Sequence, residues 1–249
     1  MLFAILGLIC GSFINVCIYR LPKNLSVVLP ASHCPQCKTV LRFFDNIPII
    51  SFLLLKGRCR FCKERIALHY PLVELCTALL WVVAAFYSDS LASAIINALF
   101  SSVLLCLSVI DFFTLTIPDE IVICIAALGL SDAFFIHKTP FIERILGGML
   151  GGGILLLVAI IVLRLAKMPG LGGGDIKMMA ACGLFLGMQK TLTAIYLAPF
   201  LGLIGVGISF IFGQKISRRM QIPFGPALAA GCFIAMYWGE RIFGLLFSP

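Results

Sequence analysis

Long stretches without charged residues constrain this chain more than any other feature. An α-helix needs about 20 predominantly apolar residues to cross the hydrocarbon core of a bilayer. Five uncharged stretches reach that length, at residues 1–19, 90–110, 145–163, 191–214 and 220–239. Of the 249 residues 61% are hydrophobic, whereas soluble domains are about 45–50% apolar. The chain is therefore predicted to be an integral membrane protein rather than a soluble globule.

Three shorter apolar runs lie between the long ones, at residues 75–88, 121–136 and 178–189. Together the eight runs predict an all-α polytopic membrane protein with about eight transmembrane helices. Alternating segments of the β-barrel type are absent from the sequence. Residues 1–19 lack a basic region before the apolar run and a small-residue cleavage site, so we expect a retained helix and not a cleaved signal peptide.

The net charge of +8 is distributed unevenly between alternate loops. If the N-terminus lies outside, fifteen of the 19 Lys and Arg residues fall on one side of the membrane. The other side holds only Lys138, Arg144, Lys190 and Arg241. The positive-inside rule makes the basic side cytoplasmic. We attribute the basic charge to this topology and to contact with membrane lipids, and we predict no nucleic-acid partner.

One polar insertion interrupts the apolar pattern. The predicted organisation is a first transmembrane helix at residues 1–20, a cytoplasmic insertion at 21–70 and a transmembrane bundle at 71–249. The insertion carries two Cys-x-x-Cys knuckles, separated by 21 residues, formed by Cys34, Cys37, Cys59 and Cys62. This pattern is typical of a structural, four-cysteine zinc site. The alternatives are two disulfides or four unrelated thiols, and disulfides do not persist in the cytoplasm.

Two aspartates stand at the edges of predicted membrane segments. Asp111 follows an uncharged run, and Asp175 follows Gly172, Gly173 and Gly174. Carboxylates beside the bilayer core are costly and usually functional. In the predicted topology both lie at the cytoplasmic ends of their helices. Such a pair can share one proton and activate water, which is the chemistry of aspartic proteases.

Neighbouring residues extend this hypothesis. The glycines before Asp175 would let an extended substrate approach the backbone, and Lys177 would stabilise an ionised carboxylate. Asp119 and Glu120 are predicted to open a helix, where acidic side chains are favourable. Glu74 begins another helix beside the insertion and is a further functional candidate.

The chain resembles the bacterial type IV prepilin peptidases, which are leader peptidases and N-methyltransferases. The resemblance runs in order over nearly the whole chain. It is carried by GSFINVCIYRLP at 11–22, both cysteine knuckles, DNIP at 45–48, YPLVE at 70–74, Asp111 with IPD at 117–119, GGGDIK at 172–177 and PFGP at 223–226.

The resemblance implies an intramembrane aspartic protease of the Gly-x-Gly-Asp type, with Asp111 and Asp175 as catalytic residues. Its substrates would be prepilin or pseudopilin precursors with a short basic leader, at the inner membrane. Methylation of the new N-terminal residue by S-adenosylmethionine would follow, with Glu74 as the methyltransferase candidate. Substrate-binding candidates are Gly172, Gly174, Lys177, Pro223, Phe224, Gly225 and Pro226.

Three other functions compete with this hypothesis. A peptidase without methyltransferase activity fits the same motifs, because the sequence contains no glycine-rich nucleotide fingerprint. An ion-coupled or proton-coupled transporter would use buried carboxylates near the midplane and would show related halves. A scaffold protein would use the zinc insertion to bind partners, but it would leave the paired aspartates unexplained.

Overall fold

The structure, a computed structural model, describes residues 1–136, 139–166, 172–211 and 223–247. The chain forms two compact units, Met1–Cys106 and Leu107–Pro249, and the boundary between them falls inside one helix. Several residues used in the charge analysis lie outside the described residues, namely Lys138, Lys167, Lys215, Arg218 and Arg219.

Eight helices of 14 to 26 residues occur in the described ranges, and a five-residue helix lies in the insertion. No strand is present in these ranges. Five helices are long and apolar enough to cross a membrane. The predicted all-helical membrane fold is therefore confirmed, while the count of eight spans stays a prediction. In chain order the helices are α1 (Leu2–Arg20), α2 (Ile50–Leu54), α3 (His69–Tyr87), α4 (Leu91–Thr114), α5 (Asp119–Phe135), α6 (Phe141–Ala166), α7 (Gly173–Leu186), α8 (Met188–Ile211) and α9 (Gly225–Phe247).

Helix ends differ from the ends of the uncharged runs. α4 continues past Asp111 to Thr114, so this aspartate lies within the helix. α9 begins at Gly225 and continues past Glu240 and Arg241. A charge ends an apolar run but does not break a helix, which explains both differences. The first three residues of the predicted run 220–239 and the last three of 191–214 lie outside the described residues.

In the first unit, α1 and α3 pack against each other at very short range. A Cβ atom on Gly7 would lie 2.7 Å from the Cα atom of Ala78. One on Gly11 would lie 2.7 Å from the Cα atom of Glu74. Small residues allow such contact, and close packing is the main attraction between helices in lipid.

The second unit is arranged around α7, which contacts α5, α6, α8 and α9. This helix is short because Gly172 caps its start in an extended conformation and Gly187 ends it at φ +78°, where glycine is favoured. A Cβ atom on Gly183 would overlap the backbone of Gly147 in α6. The glycine-rich sequence of α6 is therefore used for close helix packing.

A buried ion pair holds the end of α7. Arg144 of α6 is 2% exposed, and its guanidinium bonds to the carboxylate of Asp132 in α5. It also donates to the carbonyls of Gly129 in α5 and of Leu184 and Phe185 in α7. Carbonyls at helix C-termini have no partners within their own helix. Arg144 therefore satisfies two carbonyls in the last turn of α7 and joins α5, α6 and α7.

Replacement of Arg144 by Met should destabilise the fold by about 3–5 kcal/mol, because the partly buried Asp132 carboxylate and two carbonyls of α7 would lose their partner. The free energy of unfolding can be measured by SDS titration in mixed micelles. Arg241→Met, at an exposed position of α9, is the matched control and should change stability by less than about 0.5 kcal/mol. Equal stability of the two variants would contradict the structural role of Arg144.

Candidate active site and metal centre

Asp111 is held by the start of α9. The side chain lies in the last turn of α4, and the residue is 6% exposed. Its Oδ2 accepts a hydrogen bond of 2.9 Å from the backbone N–H of Gly225, the first residue of α9. A Cβ atom at position 225 would lie 2.6 Å from that oxygen. Only glycine leaves room for the carboxylate, and the helix N-terminus favours its negative charge.

Asp175 is held in the same way by the start of α7. The residue lies in the first turn of α7 and is 8% exposed. Its Oδ2 accepts a 3.3 Å hydrogen bond from the N–H of Gly172, the residue that caps the helix. This is the backbone half of a capping box. Both predicted catalytic carboxylates therefore lie at helix N-termini, which compensate part of the cost of burying them.

The segment after α4 packs against the start of α7. Gly174 lies on Ile117, six residues after Asp111, and a Cβ atom at position 174 would lie 2.9 Å from the Cβ of Ile117. Among the described residues, no donor other than the two glycine N–H groups bonds to either carboxylate. Each aspartate therefore keeps its Oδ1 for another ligand.

The other predicted site residues take different positions. Gly173 and Gly174 are helical, and the close approach at Gly174 is made to Ile117 of the same chain. Lys177 forms an exposed ion pair with Asp119 in the first turn of α5, at 2.9 Å. Pro223 and Phe224 precede α9, and Gly225 and Pro226 begin it. The motif at 223–226 indicated a binding segment, but it gave no sign that Gly225 anchors Asp111.

The four predicted cysteines form one cluster in the first unit. Their sulfur atoms all lie within 4.8 Å of one another, and those of Cys34 and Cys62 are 3.8 Å apart. A tetrahedral zinc ion with Zn–S bonds of about 2.3 Å places its sulfurs about 3.8 Å apart. Of the residues that the structure describes, these four form the only such group of three or more potential ligands. The cysteines therefore fit a four-sulfur metal site.

The two knuckles have the same backbone shape. The N–H of Cys34 donates to Thr39, and the N–H of Cys59 donates to Glu64, so each chain segment folds back over its cysteines. Hydrogen bonds from Thr39 lower the pKa of the Cys37 thiol to about 6. This thiol is therefore mainly ionised at neutral pH, which is the form that binds metals.

Glu74 connects the insertion to α3. Its Oε2 accepts a 2.8 Å hydrogen bond from the N–H of Ile49, which precedes α2. Gly11 packs directly on its Cα atom. The predicted methyltransferase residue therefore lies where α1, α3 and the insertion meet.

Two family models and several named proteins match this chain. Residues 5–88 match the bacterial peptidase A24 N-terminal domain, and residues 98–207 match the type IV leader peptidase family. A prepilin leader peptidase/N-methyltransferase from Pseudomonas putida is 34% identical over 96% of this chain and 90% of its own length. The protein of that name from Bacillus subtilis is 34% identical over 96% of this chain and 94% of its own length.

A more distant relative of the same name, from Neisseria gonorrhoeae, is 30% identical over 93% of this chain and 87% of its own length. No solved structure gives a significant match. The all-helical fold, with five helices long and apolar enough to cross a membrane, is that of a polytopic membrane protein. The chain belongs to the type IV leader peptidase family.

Metal analysis of the purified protein should find about one zinc ion per chain, because the four thiolates fill a tetrahedral shell. Cys34→Ser/Cys37→Ser should lose it, since two ligands cannot hold the ion against water. Cys76→Ser, in α3 and outside the cluster, is the matched control and should retain the metal. Equal zinc content in the two variants would refute the site.

Proposed function

We propose that this protein removes the leader from type IV prepilins or pseudopilins by means of an aspartate pair, Asp111 and Asp175. The observation that carries the proposal is the pairing itself. Two carboxylates are buried in one unit, each bonded to one helix N-terminus and each with an oxygen to spare. The names of the relatives support the choice of substrate class.

The proposed chemistry is general acid–base hydrolysis. One carboxylate is ionised and removes a proton from a water molecule, while the other is protonated and donates to the scissile carbonyl oxygen. The resulting diol collapses, the C–N bond breaks and the amine leaves with a proton. Burial and mutual repulsion disfavour two negative charges, so a single proton shared by the pair is the expected resting state.

The substrate and the membrane topology fit this assignment. A prepilin leader is basic and precedes an apolar helix, so the scissile bond lies at the membrane surface. In the topology predicted from the loop charges, Asp111 and Asp175 lie on the basic side of the membrane, which supports a cytoplasmic site. We therefore propose cleavage at the cytoplasmic face of the inner membrane, with the cysteine insertion on the same side.

Asp111→Asn and Asp175→Asn should each lower prepilin cleavage by at least about 1000-fold, because neither amide can exchange the catalytic proton. Cleavage can be measured by gel shift or mass spectrometry with purified enzyme in detergent. Asp119→Asn removes an exposed carboxylate that pairs with Lys177, and it should retain most of the activity. Full cleavage by either of the first two variants would show that Asp111 and Asp175 are not a catalytic pair.

Two glycine substitutions test whether the Asp111–Gly225 contact sets the geometry of the site. Gly225→Ala should lower cleavage by about 100-fold, since the new methyl group would displace the Asp111 carboxylate. Gly173→Ala has no heavy atom within 4 Å of the new methyl group and should be nearly neutral. Equal rates for both variants would show that the Asp111–Gly225 contact does not set the geometry.

We propose methylation of the new N-terminus as a second activity, supported by the relatives' names and the first unit. An amine must lose a proton when it is methylated, and the Glu74 carboxylate is suited to accept it. The sequence offers no glycine-rich fingerprint for the methyl donor, so we assign no residues to S-adenosylmethionine. The zinc ion would have a structural role in this unit.

Glu74→Gln should lower methylation of a pre-cleaved pilin by at least about tenfold, while prepilin cleavage changes less than about twofold. The amide oxygen can still accept the Ile49 hydrogen bond, so the variant removes the charge and keeps the link to the insertion. Mass spectrometry of the pilin N-terminus with S-adenosylmethionine gives both rates. Asp111→Asn is the reciprocal control and should still methylate the pre-cleaved substrate. Unchanged methylation by Glu74→Gln would show that the Glu74 carboxylate takes no part in methylation.

A further inference from the structure

The insertion exposes a continuous group of large apolar side chains. Phe43 and Phe44 lie in a single helical turn, Phe43–Asn46, and are 81% and 69% exposed. The neighbouring α2 contributes the rest of what we call the apolar face, with Ile50, Leu53 and Leu54 at 55%, 66% and 77% exposed. The turn and α2 pack against each other, which brings these exposed side chains to one part of the insertion.

This exposure belongs to an ordered piece of structure. The Asp45 carboxylate accepts a 3.3 Å hydrogen bond from the Arg42 N–H and a 2.8 Å bond from the Arg60 guanidinium. Phe52 points to the other side of α2, where its ring lies 3.1 Å from the position of a Cβ atom on Gly57. The insertion thus has its own packed side, and the apolar face is the opposite, uncovered one.

A hydrogen bond fixes the start of α2 to a helix that can span the membrane. The Ile49 N–H donates to Glu74, five residues after the start of α3. At 1.5 Å per residue, this contact lies about 8 Å along the helix. The contact therefore holds the start of α2 beside the first two turns of α3, a helix that is long and apolar enough to cross a membrane.

An apolar cavity continues the face toward α3. It measures about 410 Å³ and is lined by Ile49 together with Leu68, Pro71, Leu72 and Leu75. Leu72 and Leu75 are exposed on α3, at 59% and 48%, and Leu68, just before the helix, is 75% exposed. An apolar cavity that opens beside a membrane-spanning helix suits a lipid acyl chain.

The charge of the insertion favours anionic lipid. Residues 21–70 contain eight Lys and Arg residues, all of them exposed, against two acidic residues, Asp45 and Glu64. Each basic side chain near an anionic membrane surface contributes about 1 kcal/mol of attraction. Apolar side chains surrounded by basic ones are the composition of elements that lie in the membrane interface.

We propose that the apolar face inserts into the headgroup and upper acyl region of an anionic bilayer and holds the insertion against the membrane surface. The proposal does not depend on the catalytic roles assigned above. Two other occupants would fit an apolar surface, namely a second copy of this chain and the apolar helix of a substrate. The attachment of α2 to the first turns of a membrane-capable helix and the basic charge of the insertion favour lipid over either.

Depth-dependent fluorescence quenching tests the proposal with the full chain in vesicles. Leu54→Trp places a probe on the apolar face, and Gln36→Trp places one at an exposed polar position in the first knuckle. The wild-type signal, from Trp81 and Trp238, is subtracted. In phosphatidylglycerol vesicles with brominated acyl chains, the Leu54→Trp probe should be quenched at least twofold more strongly than the Gln36→Trp probe. Phe44→Trp is a second probe, and retained zinc shows that each variant is folded.

Three results would overturn the proposal. Equal quenching of both probes by aqueous iodide would place the apolar face in water. Protection of the Leu54→Trp probe from both iodide and bromolipid would show that protein covers it. If this protection is lost when the enzyme is diluted in lipid, the covering protein is a second copy of the chain. Unchanged quenching when phosphatidylcholine replaces phosphatidylglycerol would refute the selection of anionic lipid.

Discussion

Two carboxylates buried in a bundle of apolar helices need hydrogen-bond donors, and here the donors are the first backbone N–H groups of helices. Asp111 bonds to the start of α9, and Asp175 bonds to the residue that caps α7. The rest of the second unit follows from this arrangement. Two helix starts must lie beside the end of α4, and glycines are needed wherever the chains meet most closely. The same donors lower the cost of burying charge and leave one oxygen of each carboxylate for chemistry.

The C-terminal end of α7 is held by the side chain of Arg144, which also bonds to helix backbone groups. Arg144 bonds to two carbonyls in the last turn of α7, and to the Gly129 carbonyl and the Asp132 carboxylate of α5. α7 is buried along most of its 14 residues by four neighbouring helices, and interactions at its two ends add to this packing. The Arg144 ion pair and the close packing of Gly183 on Gly147 therefore contribute to the position of Asp175.

The sequence predicted the features that depend on local pattern. Uncharged runs located the helices, because lipid excludes charge, and the spacing of the four cysteines predicted their cluster. Contacts between distant residues were not predictable in the same way. Arg144 was counted as a loop charge, although it is buried, and Lys177 pairs with Asp119 rather than with Asp111 or Asp175. The bond from Gly225 to Asp111 joins residues 114 positions apart, and no local pattern encodes it.

The central claim is that Asp111 and Asp175 act as one acid–base pair, and the pH dependence of cleavage tests it most directly. The measurement is kcat/KM for a prepilin peptide in detergent across pH 3–9, with folding checked at each pH. An acid–base pair predicts a bell-shaped curve, because one carboxyl must be protonated while the other is ionised. A rate that rises with pH to a plateau, and shows no fall on the alkaline side, would contradict the shared proton and the account built on it.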